Sequence, residues 1–544
     1  MTQPVTPILP TLIPDSAPFT DEQRVWLNGF FAGLVSLDGA GITMLSPEQN
    51  AALMGGAVAK GPLDDGDDGE APWHDQTLPL AERMQMAEGR PLRRRMMAAM
   101  AQQDCGQCGY NCQDYADKIF LKEEERLNLC VPGGKETARM LKSLHEELAK
   151  APPAAVAAAP RPVETKSDAK PPVQAGYSRD NPATASFLSR ILLNKPGSAK
   201  ETWHLEFDLG ADALAYEVGD SFGLFARNDP ALVDAILKAL GTPADFPIAG
   251  RTLRDVLIDG VSLSPAPDSL FQLVSYITGG ERRQKAKALA SGEDPDGDAA
   301  TLDVLAAIEK FPGIRPDPEA LIESLEPLQP RLYSISSSPK SHPGRLSLTV
   351  DTVRYKIGSR MRRGLASTYL AERAEIGERI KVYVQKALHF SLPDDPATPV
   401  IMVGPGTGIA PFRAFLHERM ATKAPGRNWL FFGHQRSAHD FFYEDELNAM
   451  KTNGVLTRLS LAWSRDSDQK FYVQDRMREV GRDLWAWLAD GAYFFVCGDA
   501  KRMAKDVERA LVDVVAQFGA RSTDEAIAFV GELKKRGRYR QDVY

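Results

Sequence analysis

Cysteine is scarce in this chain, with five residues in 544. So few thiols exclude a disulfide framework as the main support of a chain this long. Long apolar runs are missing as well: none approaches the roughly 18 residues of a membrane span, so no membrane association is expected. The opening "MTQPVTPILPTLIPDSAP" lacks a basic stretch followed by an apolar segment and a small-residue cleavage site. It does not read as a secretory signal, and a cytoplasmic location is expected. Positive charge is not in excess, because the formal net charge is −8; nucleic-acid binding, which needs a basic face, is not expected. Clusters such as "RPLRRR" read as solvated helix surface. Internal repeats are absent. What remains is an ordinary globular composition, 43% apolar and 25% charged, on a chain long enough for roughly two to four domains.

Four of the few cysteines are gathered. Cys105, Cys108 and Cys112 fall within "DCGQCGYNC" and Cys130 follows in "LNLCVPGG", a spacing of C-x2-C-x3-C-x17-C. In a reducing compartment such clustering means metal or redox chemistry. Zinc sites divide their ligands into two pairs, whereas three ligands in one loop plus a distant fourth suit an iron–sulfur cube. The cube is favoured here, with zinc or structural thiols as the alternatives. Glycines in "CGQCGY" let the backbone approach inorganic sulfide, and Pro132, Gly133 and Gly134 turn the chain after the last ligand. The stretch resembles the small iron–sulfur domain of electron-transfer complexes that binds [4Fe-4S], although one residue is missing between Cys108 and Cys112.

The flanks set the domain organisation. Residues 18–36 read as a helix opened by a Thr20/Gln23 capping box, "DDGDDGE" at 64–70 as a flexible acidic loop, and "ETARMLKSLHEELAK" as a helix. Residues 151–175, rich in Ala and Pro, read as a semi-rigid tether. The expected divisions are a helical region over 1–90, a cluster domain over 91–150, the tether, a flavin-binding unit over 176–395 with a helical insertion at about 225–325, and a nucleotide-binding unit over 396–544.

Three stretches after residue 176 carry chemistry. "RLYSISSSP" at 331–339 alternates as a strand edge does, and presents Arg331 for a pyrophosphate, Tyr333 as an aromatic face for an isoalloxazine and Ser334 as a hydroxyl. In "MRRGLASTYLAE", Gly364, Ala366, Ser367 and Thr368 precede a helical run, gathering amides and hydroxyls for a diphosphate. "PVIMVGPGTGIAPFRAF" is an apolar strand, a turn containing Gly404, Gly406, Thr407 and Gly408, and a helix from about Ala410. Strand, glycine turn and helix cradle a dinucleotide pyrophosphate. By contrast His204 and Glu206 in "TWHLEFDLG" read as ordinary strand residues.

In order and spacing these segments, with "WSRDSDQKFYVQDRM", "VCGDAKRM" and the terminal "GRYRQDVY", resemble the ferredoxin–NADP reductase-like module of the cytochrome P-450 reductase and sulfite reductase flavoprotein family. The resemblance covers about residues 176–544. It implies an antiparallel β-barrel that binds FAD, interrupted by a helical insertion, and then a doubly wound α/β domain that binds NADPH. It implies FAD on Arg331, Tyr333, Ser334, Gly364, Ala366, Ser367 and Thr368, and the NADPH pyrophosphate on Gly404, Gly406, Thr407 and Gly408. The adenosine 2′-phosphate is implied on Ser464, Arg465, Lys470, Tyr472 and Gln474. Two cations with hydroxyl donors suit such a dianion. Cys497 and Asp542 are implied beside Ser334 on the hydride path, and Tyr544 against the flavin.

One part of the family pattern has no counterpart: no S/T-x-T-G-T run follows a buried strand before the tether, so FMN is not expected. The cluster domain stands in that place, as a substitute one-electron carrier on a tether that lets it swing between donor and acceptor. By resemblance of the opening helix and the Asp-Val-Tyr end, the acceptor is a sirohaem sulfite reductase haemoprotein on a separate chain, reducing sulfite to sulfide. Two alternatives stay open: an NADPH reductase of a ferredoxin, flavodoxin or cytochrome, and a redox-sensing docking protein.

Overall fold

The computed structural model describes residues 71–106, 108–150, 175–210 and 214–544. The expected helix at 18–36, the acidic loop at 64–70 and all but the last residue of the tether lie outside them. The described residues fall within one compact unit.

The cysteine-rich segment folds into a small helical domain: α1 (Leu80–Met86), α2 (Leu92–Ala99), α3 (Cys112–Phe120) and α4 (Gly134–Lys150). Asn111 starts α3 by accepting from the Asp114 N–H at 2.6 Å, which places Cys112 in the first turn. Tyr115, Ile119, Leu141, Leu144 and Leu148, spaced at helical intervals, form its core with Met96 and Met97.

The next domain is an antiparallel sheet of β1 (Ala183–Leu192), β2 (Thr202–Asp208), β3 (Ser221–Leu224), β4 (Arg331–Ser334), β5 (Arg345–Asp351) and β8 (Arg379–Gln385), in the order β4-β3-β8-β1-β2-β5. The hairpin β6 (Arg354–Ile357) and β7 (Arg360–Arg363) projects from it. An antiparallel bridge between Ile335 and Leu348 joins the two edges, closing the sheet as a barrel. The strand read over 331–339 therefore stops at Ser334: β3 offers four partners, and Ile335 then turns toward β5. Between β3 and β4 a helical insertion holds its own apolar core, built on α5 (Pro230–Leu240), α6 (Leu253–Asp259), α7 (Asp268–Ile277), α8 (Gly280–Ser291), α9 (Val304–Lys310) and α10 (Pro318–Glu323).

The last domain is a parallel sheet of β9 (Val400–Val403), β10 (Asn428–His434), β11 (Arg458–Trp463), β12 (Tyr493–Gly498) and β13 (Tyr539–Val543), in the order β11-β10-β9-β12-β13. Val400 and Met402 pack on one face with α11 (Ala410–Ala421) and α12 (Glu444–Thr452). Ile401 and Val403 pack on the other with α13 (Val473–Glu479), α14 (Gly481–Ala489), α15 (Met503–Phe518) and α16 (Thr523–Lys535). Both faces are covered, which is why β9 reads as an unbroken apolar run. The strand order reverses at β9, so the crevice beyond its carboxyl end is the switch point where α/β sheets take ligands.

A buried polar seam joins barrel to sheet. The Arg413 guanidinium donates to the Ser336 carbonyl at 2.7 Å and to Glu446 Oε2 at 2.8 Å, and lies over the Tyr443 ring. His417 reaches Glu446 Oε1 at 2.8 Å. Burial pushes the Glu446 carboxyl up, but the His417 hydrogen bond and the Arg413 charge prevail and hold it at about 2, from 4.5. His204 lies in this seam too, 3.1 Å from the Tyr443 hydroxyl and 3.7 Å from Glu206. A depressed carboxylate stabilises the fold above its unfolded value and loses that contribution as it protonates. Thermal stability is accordingly expected to fall on acidification from about pH 4.5 toward 2, and calorimetry should find a shallower fall in Glu446→Gln, which has no proton to take up.

Candidate functional site

The carboxyl end of β9 opens into a cleft of about 1360 Å³ between the barrel and the parallel sheet. Its floor is built by residues far apart in sequence. Ser334, at the end of edge strand β4, donates its hydroxyl to Asp542 Oδ2 at 2.6 Å. Asp542 lies opposite Cys497 in the β12–β13 register, and the Cys497 thiol points at the same oxygen at 3.8 Å. Desolvation pushes the Asp542 carboxyl above its usual range. Burial and the neighbouring Asp542 charge push the fully buried Cys497 thiol up, so at neutral pH it is a protonated donor.

Tyr544 closes this floor. Its backbone is tied at both groups, N–H to the Gly498 carbonyl and C=O to the Ala500 N–H, while its side chain stays 57% exposed on the cleft. Its hydroxyl meets the Thr407 hydroxyl at 2.7 Å. Thr407 belongs to the glycine turn, where Gly404 donates to the Phe431 carbonyl and Gly408 to that of Pro405. Gly406 has φ +59°, and a Cβ on Gly408 would overlap the Cys497 carbonyl oxygen. The turn therefore lies directly against β12.

The barrel wall carries Arg331, Tyr333, Gly364, Ala366 and Ser367. Arg331 donates to the carbonyls of Gln329 and Pro330, and desolvation draws its pKa down. The Ser367 hydroxyl accepts the Val353 N–H, and the Thr368 hydroxyl caps the Gly364 carbonyl at 2.7 Å. Ser464 and Arg465 extend the β10–β11 pairing through their N–H groups, to His434 and Gln435. Lys470 follows in an exposed loop, Tyr472 caps α13, and Gln474 lies in its first turn. Arg465 and Lys470 are exposed, with no ion-pair partner among the described residues.

Cys105, Cys108, Cys112 and Cys130 line one small cavity with Tyr110, Tyr115 and Pro132. Among the described residues no group of three or more His, Cys, Asp or Glu side chains forms a site that could hold a metal ion. Burial raises the thiols, Cys108 to about 11 and Cys112 and Cys130 upward as well. Asp104 accepts the Cys112 N–H at 2.7 Å and pairs with His74 at 3.0 Å. The thiol domain also forms a wall of this cleft, and Cys105 borders both spaces. Several contacts seat it. Gln76 donates to Gln541, beside Asp542; Arg139 forks onto Asp268 of the insertion at 2.8 and 2.9 Å; and Gly106 lies so close to Gln385 of β8 that a Cβ there would overlap the amide. None of His74, Gln76, Arg83 or Gln385 was singled out from sequence. They sit in no motif; the sequence marked this wall through Cys105.

Residues 176–250 and 242–369 match the model of an FAD binding domain, and residues 402–509 that of an oxidoreductase NAD-binding domain. The chain carries an FAD-binding domain followed by a dinucleotide-binding oxidoreductase domain. It is similar to the sulfite reductase [NADPH] flavoprotein alpha-components of Escherichia coli O9:H4 (strain HS), O1:K1 / APEC and O157:H7, each 43% identical over 378 residues and 68% of this chain. The chain spans 62% of the length of these relatives. Among the described residues no helix is long and apolar enough to cross a membrane.

Gly408→Ala is expected to force the turn off β12 and cost about 1–3 kcal/mol by overpacking; a Tm equal to that of the parent chain would refute this close approach.

Proposed function

We propose that the protein is an NADPH-dependent flavoprotein reductase that delivers electrons to a sirohaem sulfite reductase haemoprotein on another chain. The observation carrying the reading is the convergence of the Ser334 hydroxyl and the buried Cys497 thiol on Asp542 at the floor of one cleft, with Cys105 in its wall. FAD bound there would supply the conversion between a hydride pair and single electrons. Arg331, Tyr333, Ser334, Gly364, Ala366, Ser367 and Thr368 would hold it. Gly404, Gly406, Thr407 and Gly408 would take the NADPH pyrophosphate at the switch point. Ser464, Arg465, Lys470, Tyr472 and Gln474 would take the 2′-phosphate, and the unpaired charges of Arg465 and Lys470 support a dianion over the bare ribose of NADH.

Within the floor, Asp542 Oδ2 accepts from both the Ser334 hydroxyl and the Cys497 thiol. That sharing orients both groups and keeps the thiol a neutral donor. Tyr544, held by its backbone and exposed in its ring, covers the place where the nicotinamide enters and is free to leave it.

The four thiols support a [4Fe-4S] cluster. In a cube each cysteine binds a different iron, so the sulfurs surround a space instead of meeting at one ion. Four thiols round a single small cavity suit that demand for separated ligands. Gly133 adds to the fit, because a Cβ there would crowd Cys130 Sγ and overlap Thr137. The docked position of Cys105 supports transfer from flavin to cluster without a domain swing on the donor side.

Anaerobic protein given NADPH should show reduced flavin and a fast-relaxing cluster signal by low-temperature EPR. Cys130→Ala should keep flavin reduction and lose both the cluster and electron delivery to the haemoprotein. Ser334→Ala should slow flavin reduction by about 10²-fold without releasing FAD. Full delivery by Cys130→Ala would refute the relay, and faster turnover with a ferredoxin, flavodoxin or cytochrome than with the haemoprotein would refute the acceptor.

A further inference from the structure

Arg83 of α1 is 6% exposed. Its Nε donates to the Ala98 carbonyl at 3.1 Å and its Nη1 to the Leu78 carbonyl at 2.8 Å. No carboxylate among the described residues forms an ion pair with it. The contrast with Arg93 is direct: equally buried in the same domain, Arg93 faces Asp117 at 3.2 Å. A buried guanidinium without a counter-ion is costly, because carbonyl dipoles replace only part of the lost hydration.

The neighbourhood of Arg83 names the missing partner. It borders the cleft wall that holds Ala101, Cys105 and Pro132, residues that also line the thiol cavity. Burial draws its guanidinium down from the ordinary value, opposed only in part by the groups around it, Cys130, Cys112 and Asp75. The Asp75 carboxylate is already engaged, accepting from both the N–H and the hydroxyl of Thr77. As neutral thiols Cys112 and Cys130 offer Arg83 little; as thiolate ligands they offer a full negative charge.

We propose that Arg83 is the resident countercharge of the cluster held by Cys105, Cys108, Cys112 and Cys130, and that it raises the cluster's reduction potential. The inference rests on the cluster reading given above. A four-thiolate cube is anionic when oxidised, and reduction adds one electron from the flavin and no proton. The negative charge therefore grows by one, and a fixed buried cation favours the reduced form. Arg83 is a positioning residue in electrostatic terms: it touches no iron, and acts through the field at Cys112 and Cys130. Arg83 itself lines the cleft, so this field operates on the side from which the electron would arrive.

The test uses the full chain, purified and iron-loaded anaerobically, with EPR-monitored redox titration and iron content as readouts. Arg83→Met should lower the reduced-to-oxidised ratio at a fixed potential at least tenfold, equivalent to a midpoint about 59 mV lower for one electron. Arg83→Lys, which keeps the charge, should titrate close to the parent. Arg83→Gln, which keeps donors for the Leu78 and Ala98 carbonyls without the charge, should follow Arg83→Met, and stands in for it if the methionine variant fails to fold. Iron-loaded Arg83→Gln or Arg83→Met titrating at the parent potential overturns the role of Arg83 alone. A parent chain that binds no iron overturns the cluster reading and this inference together.

Discussion

Everything in the cleft depends on the buried guanidinium of Arg413. It belongs to the helix that follows the glycine turn, yet its hydrogen bond to Ser336 reaches the barrel just beyond the strand carrying Tyr333 and Ser334. The flavin face and the dinucleotide turn therefore share one mechanical reference, two residues from Ser334 on one side and five from Gly408 on the other. Only with that seam closed can a serine and an aspartate 208 residues apart meet at 2.6 Å. The ion pair with Glu446 keeps the guanidinium from being a buried charge without compensation. Position and electrostatics are supplied by the same side chain.

What the sequence disclosed followed the range of the forces involved. The glycine turn was legible because its causes are local: an apolar strand, residues without Cβ and a helix succeed one another within some twenty positions. The two sheets followed from periodicity and resemblance. "RLYSISSSP" was overread as strand, because alternation continues after Ser334 although β3 runs out of partners; the serines beyond it instead bond to Tyr216, Ser347 and Glu418. His204 read as an ordinary strand residue, and nothing local distinguishes it from one that packs into a domain seam.

The wall formed by the thiol domain was the least legible part. Its seating uses Gln76, Arg139 and Gly106 against Gln541, Asp268 and Gln385, six residues in six separate stretches, none unusual where it stands. Side-chain pairing of this kind is decided by tertiary position, which no window of sequence contains. The cysteines announced a site, but not that one of them would border the neighbouring domain's cleft. That shared border sets the thiol cavity and the cleft side by side, with Cys105 in the lining of both.

The approach of Gly106 to Gln385 is held by backbone more than by bulk. A Cβ at 106 would overlap only the terminal amide of a flexible side chain, which can swing aside, so it is the glycine's φ of +67° that restricts the position. The hand of the backbone at 106 commits this loop to glycine, and the loop carries Cys105 to the rim of the cleft.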